Sequence, residues 1–227
     1  GICLGLVMAG SYVTQTVGLT VASPARSAFI TGLNVALVPL WDLALNRRRP
    51  APLSLLGLAL CLPGLWLLTS PGDGGWNRGD SWTVLCAVLY ALWVVLVNRA
   101  AARHAAGALL FPQLAVTALL CFPASPLLEA PRFDPTPALL GAVAFTALLA
   151  TTGSTWLQLR CQPRVGAARA AMIYATEPVF AAACAFLLLG ERQPAIAWGG
   201  AALILAGMVV SELGGLGGRK GLAASQS

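Results

Sequence analysis

VGAARAAMIYATEPVFAAACAFLLLGERQ, residues Val165–Gln193, places one carboxylate, Glu177, inside an apolar segment and follows it at once with a proline. A carboxylate near the middle of a bilayer costs at least about 2.5–3.5 kcal/mol, so such a group faces a cavity or a partner and marks function by default. Pro178 has no N–H, so the carbonyl of Tyr174 one turn earlier loses its helical donor. A freed carbonyl beside an intramembrane acid is the material from which interrupted helices build midplane sites. The rest of the chain reads as a casing around this segment.

Composition sets the class. Hydrophobic residues make up 58% of the 227 and charged residues only 10%, with a mean hydropathy of +0.78. Soluble domains carry about 25% charged residues, so this chain reads as a polytopic membrane protein. Its net charge of +6 does not point to nucleic acid, because the basic residues are scattered between apolar spans as topology signals. Cys3, Cys61, Cys86, Cys121, Cys161 and Cys184 show neither CxxC nor metal spacing. Five fall in or near spans and Cys161 in a short basic loop, so they read as apolar packing residues. The chain opens at Gly1 inside an apolar run, with no charged leader and cleavage site, which reads as a truncation or fragment.

Eight spans are expected, each near the roughly 20 residues that cross a bilayer: Ile2–Thr20, Pro24–Leu45, Pro52–Thr69, Ser81–Asn98, Gly107–Leu128, Pro137–Leu159, Val165–Leu189 and Pro194–Leu213. Short linkers, Asn46–Pro52, Ser70–Asp80 and Glu129–Pro137, hold charges and turn residues, and the Gly/Ser-rich tail 214–227 is expected to be disordered and cytoplasmic. Ten basic residues (Arg47, Arg48, Arg49, Arg99, Arg103, Arg160, Arg164, Arg169, Arg219, Lys220) fall on one side against four (Arg26, Arg78, Arg132, Arg192) on the other. That bias places the Arg47–Arg49 loop and the C-terminus in the cytoplasm.

The chain also repeats itself. A shift of 143 residues lays Gly10-Ser11 on Gly153-Ser154, Gln15 on Gln158, Ala25-Arg26 on Ala168-Arg169, Gly57 on Gly200 and Gly64 on Gly207. The matched units lie five spans apart, so they cross the membrane in opposite senses, the pattern of an inverted repeat. Residues 1–70 then form the last three spans of one repeat and 79–213 all five of the next, which predicts about sixty further residues, two spans, ahead of Gly1 in a ten-span parent.

With QTVGLTVASPARSAFITGLNVALVPL in the first half, and GDSWTVLCAVLYALWVVLVNRAA and ATEPVFAAACAFLLLGERQPAIAWGGAALILAGMVV in the second, the chain resembles the EamA-type drug/metabolite transporter superfamily. The most specific pieces are Glu177-Pro178 and Gly190-Glu191-Arg192. The resemblance implies a five-plus-five all-α permease of a bacterial-type inner membrane. It would carry small metabolites, often as an exporter of amino acids or related compounds, through a cavity between the halves. The missing first two spans are the departure from that pattern.

The candidate binding residues follow from position. Glu177 shares a helical face with Ala170, Ile173, Tyr174, Ala181 and Cys184, while Ala167, Ala171 and Ala175 form a small-residue packing ridge that Ala28, Gly32 and Ala36 repeat in span two. Low-dielectric surroundings favour the neutral carboxyl, which suits Glu177 to coupling proton movement with substrate; a purely structural, hydrogen-bonded acid is the alternative. Asn34 is its equivalent under the 143-residue shift and offers both a donor and an acceptor. Gln15 and Gln158 lie in matching polar clusters that either line a passage or tie helices together. Tyr90 and Trp93 share a face that would stack on a substrate or anchor at the interface, Trp41 and Trp82 read as anchors, and Arg26 and Arg169 as snorkelling cations.

Enzymatic readings find no support. His104 is the single histidine, in a cytoplasmic loop, and Glu177 has no second buried acid. No GxxxxGK[ST] motif occurs and no metal or cofactor is implied. Expected partners are a small-molecule metabolite, the lipid bilayer and protons, with homodimerisation left open. A membrane scaffold without transport of its own is the competing reading.

Overall fold

The computed structural model describes residues 1–47, 50–69, 76–128, 135–189 and 194–224. Arg48, Arg49, Asp73, Glu129, Arg132, Asp134, Gly190, Glu191 and Arg192, all used in reading the sequence, lie outside them. The described chain is helical without a strand: α1 Ile2–Leu19, α2 Pro24–Gly32, α3 Asn34–Asn46, α4 Pro52–Thr69, α5 Arg78–Ala101, α6 Ala106–Leu128, α7 Pro137–Phe145, a π-helix Thr146–Gly153, α8 Ser154–Val165, α9 Ala167–Tyr174, α10 Glu177–Leu189 and α11 Ala195–Ala224. Starts are encoded locally. Ser23 and Thr136 each precede a proline at the first helical position, and their hydroxyls accept from Arg26 N–H and Leu139 N–H.

Among the described residues, six helical stretches are long and apolar enough to cross a membrane: Ile2–Leu19, Arg26–Asn46, Pro52–Thr69, Arg78–Ala101, Ala106–Ser125 and Pro137–Val165. The protein is therefore an integral, multi-pass membrane protein. The two other expected crossings are the interrupted pair α9–α10 and the shorter apolar stretch Ala195–Ser211 of α11. The sixth crossing runs past Leu159 to Val165, so Cys161 sits in a helix and not in a loop; Gly166, at φ +92°, makes the turn instead. Helix also continues through the Gly-rich stretch to Ala224, where composition predicts disorder. Extending an existing helix needs no new nucleation, and no proline interrupts this stretch.

α5 is the central mast, touching α1, α2, α3, α6, α8 and α9, and its Ala91, Val95 and Val97 are wholly buried. Its start is built tightly. Asn77 and Asp80 form a reciprocal capping box at 2.8 and 2.9 Å. Asp80 is fully buried and also binds Arg26 Nε at 2.9 Å. Arg26, expected to snorkel, is thus held to the mast and fixes the rotation of α2. That rotation puts Ala28 on a cavity wall, whereas the expectation had Ala28 in a packing ridge. Trp41, expected at the interface, instead packs against the core and donates from its indole N–H to the Val88 carbonyl at 3.2 Å.

α4 and α11 pack in the most intimate contact of the molecule. A Cβ on Gly57 would lie 2.5 Å from the Gly207 carbonyl oxygen, and one on Gly64 2.8 Å from that of Gly200. The 143-residue shift carries Gly57 onto Gly200 and Gly64 onto Gly207, so each glycine meets the equivalent of the other. Between them the Cys61 thiol donates to the carbonyl of Ile204, its own equivalent, at 3.5 Å. The two close approaches, 57 to 207 and 64 to 200, run antiparallel along the helices.

Gly57→Leu or Gly64→Leu is expected to destabilise the protein by about 1–3 kcal/mol through overpacking. Gly199→Ala, where the added Cβ meets nothing within 4 Å, should leave thermal unfolding in detergent unchanged. Arg26→Ala strands the buried Asp80 charge and should cost about 3–5 kcal/mol. Adding Asp80→Asn in a double-mutant cycle should recover a large part of that loss.

Candidate functional site

Two spans are interrupted at equivalent points. α2 ends at Gly32 and α3 begins at Asn34, with Leu33 between them donating to both the Phe29 and Ile30 carbonyls. α9 ends at Tyr174 and α10 begins at Glu177. Across this second break Thr176 N–H and Val179 N–H bond three residues back, both at 3.0 Å, and the Thr176 hydroxyl also donates to the Ile173 carbonyl at 2.6 Å. Pro178 occupies the second position of α10, where no helical donor is required. Asn34 and Glu177 therefore each open the helical segment that follows a break.

Both breaks open on one cavity of about 1110 Å³. Glu177, Asn34, Tyr174, Gln15, Gln158, Tyr90, Trp93 and Pro178 all contribute to its wall. Glu177 is exposed to it, whereas Asn34 is buried. The predicted face of Ala170, Ile173, Tyr174, Glu177 and Ala181 lines the cavity; Cys184 does not, since the break resets the helical phase. Of the opposite ridge, Ala167 and Ala171 are buried against protein, whereas Ala175, expected to pack with them, is buried but reaches the cavity wall where the break turns the chain.

Tyr90 and Trp93 are not interface anchors. Their rings stack on each other at 5.6 Å, and the Trp93 indole donates to Gln113 Oε1 at 3.3 Å inside the core. The Tyr90 hydroxyl lies within electrostatic range of Glu177, Tyr174 and Tyr12. On the α1 side, Ser11 and Cys86 touch at 3.4 Å, and the Cys86 thiol donates to Gln15 Oε1 at 3.8 Å. Of the polar cluster read around Gln158, Thr155 is buried on the cavity wall, while the exposed Trp156 ring lies 5.2 Å beneath the Arg160 guanidinium.

The residue that sequence reasoning missed is Gln162. It is buried, lines the cavity and joins three elements: its amide N–H donates to the Val94 carbonyl, and its Oε1 accepts from Gln158 Nε2 at 2.9 Å and from the Tyr174 hydroxyl at 3.4 Å. The signal was present as glutamines four residues apart, on one helical face, but the span had been ended at Leu159. Among the described residues, no three His, Cys, Asp or Glu side chains converge as a metal set.

A second, largely apolar crevice of about 570 Å³ lies between α1, α6 and the π-helix, with Tyr12 shared between the two spaces. The π-helix itself is unusually long for a form seen mostly as single turns near functional sites.

A multi-pass helical bundle around a cavity whose largely apolar wall carries a few polar groups is the form of a membrane permease. Residues 77–213 match the model of the EamA-like transporter family, and the chain belongs to that family, an EamA-type branch of the drug/metabolite transporter superfamily. A protein of Archaeoglobus fulgidus described as an uncharacterized transporter is 25% identical over 213 residues, 94% of this chain and 68% of that protein. One solved crystal structure superposes with a TM-score of 0.77 at 20% identity, covering 91% of this chain and 73% of the other, which shows a shared fold.

Pro178→Ala supplies the N–H that a continuous helix would offer to the Tyr174 carbonyl. Slower amide exchange across residues 174–180 is expected, together with loss of transport; unchanged exchange would mean that the break does not depend on the proline.

Proposed function

We propose that this chain is a secondary transporter that moves a small metabolite, such as an amino acid or a drug-like amphiphile, by alternating access. The membrane would be a bacterial-type inner membrane, with the C-terminus in the cytoplasm. The observation that carries the reading is the cavity itself. At about 1110 Å³ it lies just above the roughly 300–1,000 Å³ typical of ligand sites, and each of two equivalent half-helix starts gives it a polar residue, Asn34 and Glu177. Glu177, Asn34, Tyr174, Gln15, Gln158, Tyr90 and Trp93 form the binding wall in this reading, and Pro178 makes the break.

The reciprocal glycine contacts of α4 and α11 support an inverted five-plus-five arrangement, with the two-fold passing near Cys61 and Ile204. α1 packs on α5 and α6, but its repeat equivalent, the sixth crossing, is exposed along Pro137–Ala150. Rocking of one half against the other about α4–α11 would then expose the midplane wall to each side in turn. The Glu177 carboxyl, protonated or released according to which side it faces, is the coupling group.

Flux in proteoliposomes against a panel of amino acids and amphiphilic metabolites tests this, with a pH gradient imposed on wild type and Glu177→Gln in parallel. Gradient-driven accumulation in wild type, lost in the variant while exchange persists, is the expected outcome. Equal behaviour of the two would make Glu177 structural. Absence of flux across the panel would favour a membrane scaffold.

A further inference from the structure

Resting on the transport reading, we infer that Gln162 is a positioning residue that gives the second-half wall of the cavity an acceptor polarity, and that the substrate carries a protonated amine. The argument begins at a backbone atom. The Val94 carbonyl can only accept, so the Gln162 side-chain atom beside it, at 2.6 Å, is the nitrogen. That settles the amide orientation, and Oε1 must face the other way. An amide oxygen can only accept in turn, so Gln158 presents its Nε2 and Tyr174 its hydroxyl hydrogen to Gln162.

The consequence falls on the cavity side. Gln158 is left with its carbonyl oxygen unpartnered by protein among the described residues, and Tyr174 with the lone pairs of an oxygen that has already committed its hydrogen. Both residues line the cavity with Glu177, a third acceptor when ionised. The Tyr90 ring, stacked on Trp93, adds an aromatic surface to the same wall, and aromatic faces attract cations. A carboxylate ligand would meet repulsion from these oxygens, and an alcohol would offer one hydrogen where an ammonium offers three.

The polarity belongs to one half only. The 143-residue shift carries Gln162 onto Leu19 and Tyr174 onto Thr31, so the first half has no equivalent of this chain of hydrogen bonds. The frame is pseudo-symmetric and the recognition is not, which gives the amine a defined end of the cavity.

Binding to the purified protein in detergent, read by calorimetry, tests this with three probes of one shape: 2-phenylethylamine, 2-phenylethanol and phenylacetate. The amine should bind about tenfold tighter than the alcohol, the order of one charge-assisted hydrogen bond, with the acid weakest. Gln162→Leu frees Gln158 and Tyr174 to reorient and should erase the preference, whereas Gln162→Glu, which in its protonated form still donates to Val94 and accepts from the other two, should keep it. Tyr174→Phe removes one acceptor with little change in packing and should weaken the amine alone, which keeps the test open if Gln162→Leu does not fold. Equal binding of amine and alcohol, preference for the acid, an unchanged preference in Gln162→Leu, or no binding of any probe overturns the inference. The metabolite flux panel on the same preparation shows separately whether the transport reading falls with it.

Discussion

Inside a bilayer the backbone must satisfy its own hydrogen bonds, because lipid offers none. This constraint shapes the whole protein. It makes every described crossing helical, and it restricts interruptions to places where the freed groups meet a cavity. The two breaks, at Leu33 and at Ala175–Thr176, obey it: the residues that follow, Asn34 and Glu177, both line the central space. The second break shows the local repair in detail, with Thr176 using both its N–H and its hydroxyl on the Ile173 carbonyl.

Lipid also withdraws the hydrophobic drive that holds soluble helices together, leaving close packing and polar contacts. The molecule uses both. Glycines let the α4 and α11 backbones approach so closely that a single added Cβ would strike a carbonyl. Elsewhere, polar ties converge on α5: Arg26 to Asp80, Trp41 to Val88, Trp93 to Gln113 and Gln162 to Val94. The glycine crossing joins α4 to α11, while of the groups tied to α5 two, Arg26 and Trp41, come from the first part of the chain and two, Gln113 and Gln162, from the second.

Much of this was legible in the residues. Glu177 stood out because charge is costly in an apolar run, Pro178 because it withholds an N–H, and Asn34 because the internal shift pointed to it. Gln15, Gln158, Tyr90 and Trp93 were legible as polar or aromatic residues in spans, but their grouping in one wall was not. Gln162 was lost for a definite reason. Arg160 and Arg164 looked like a loop, yet α8 continues beneath them to Gly166. Arg26 and Trp41 were misread alike, since long amphipathic side chains suit both an interface and an interior partner, and local sequence does not say which is within reach.

By itself the sequence determined the membrane class, the helical character of the chain and the acid-proline pair, because each follows from composition, from chain length against bilayer thickness or from the chemistry of one residue. Only the tertiary structure decided which side chains meet. The burial of Asp80 under Arg26, the return of each glycine to the partner of the other, and the orientation of Gln162 set by the Val94 carbonyl all join residues more than fifty positions apart. No local pattern encodes such distances, for they arise when helices rotate and close on one another.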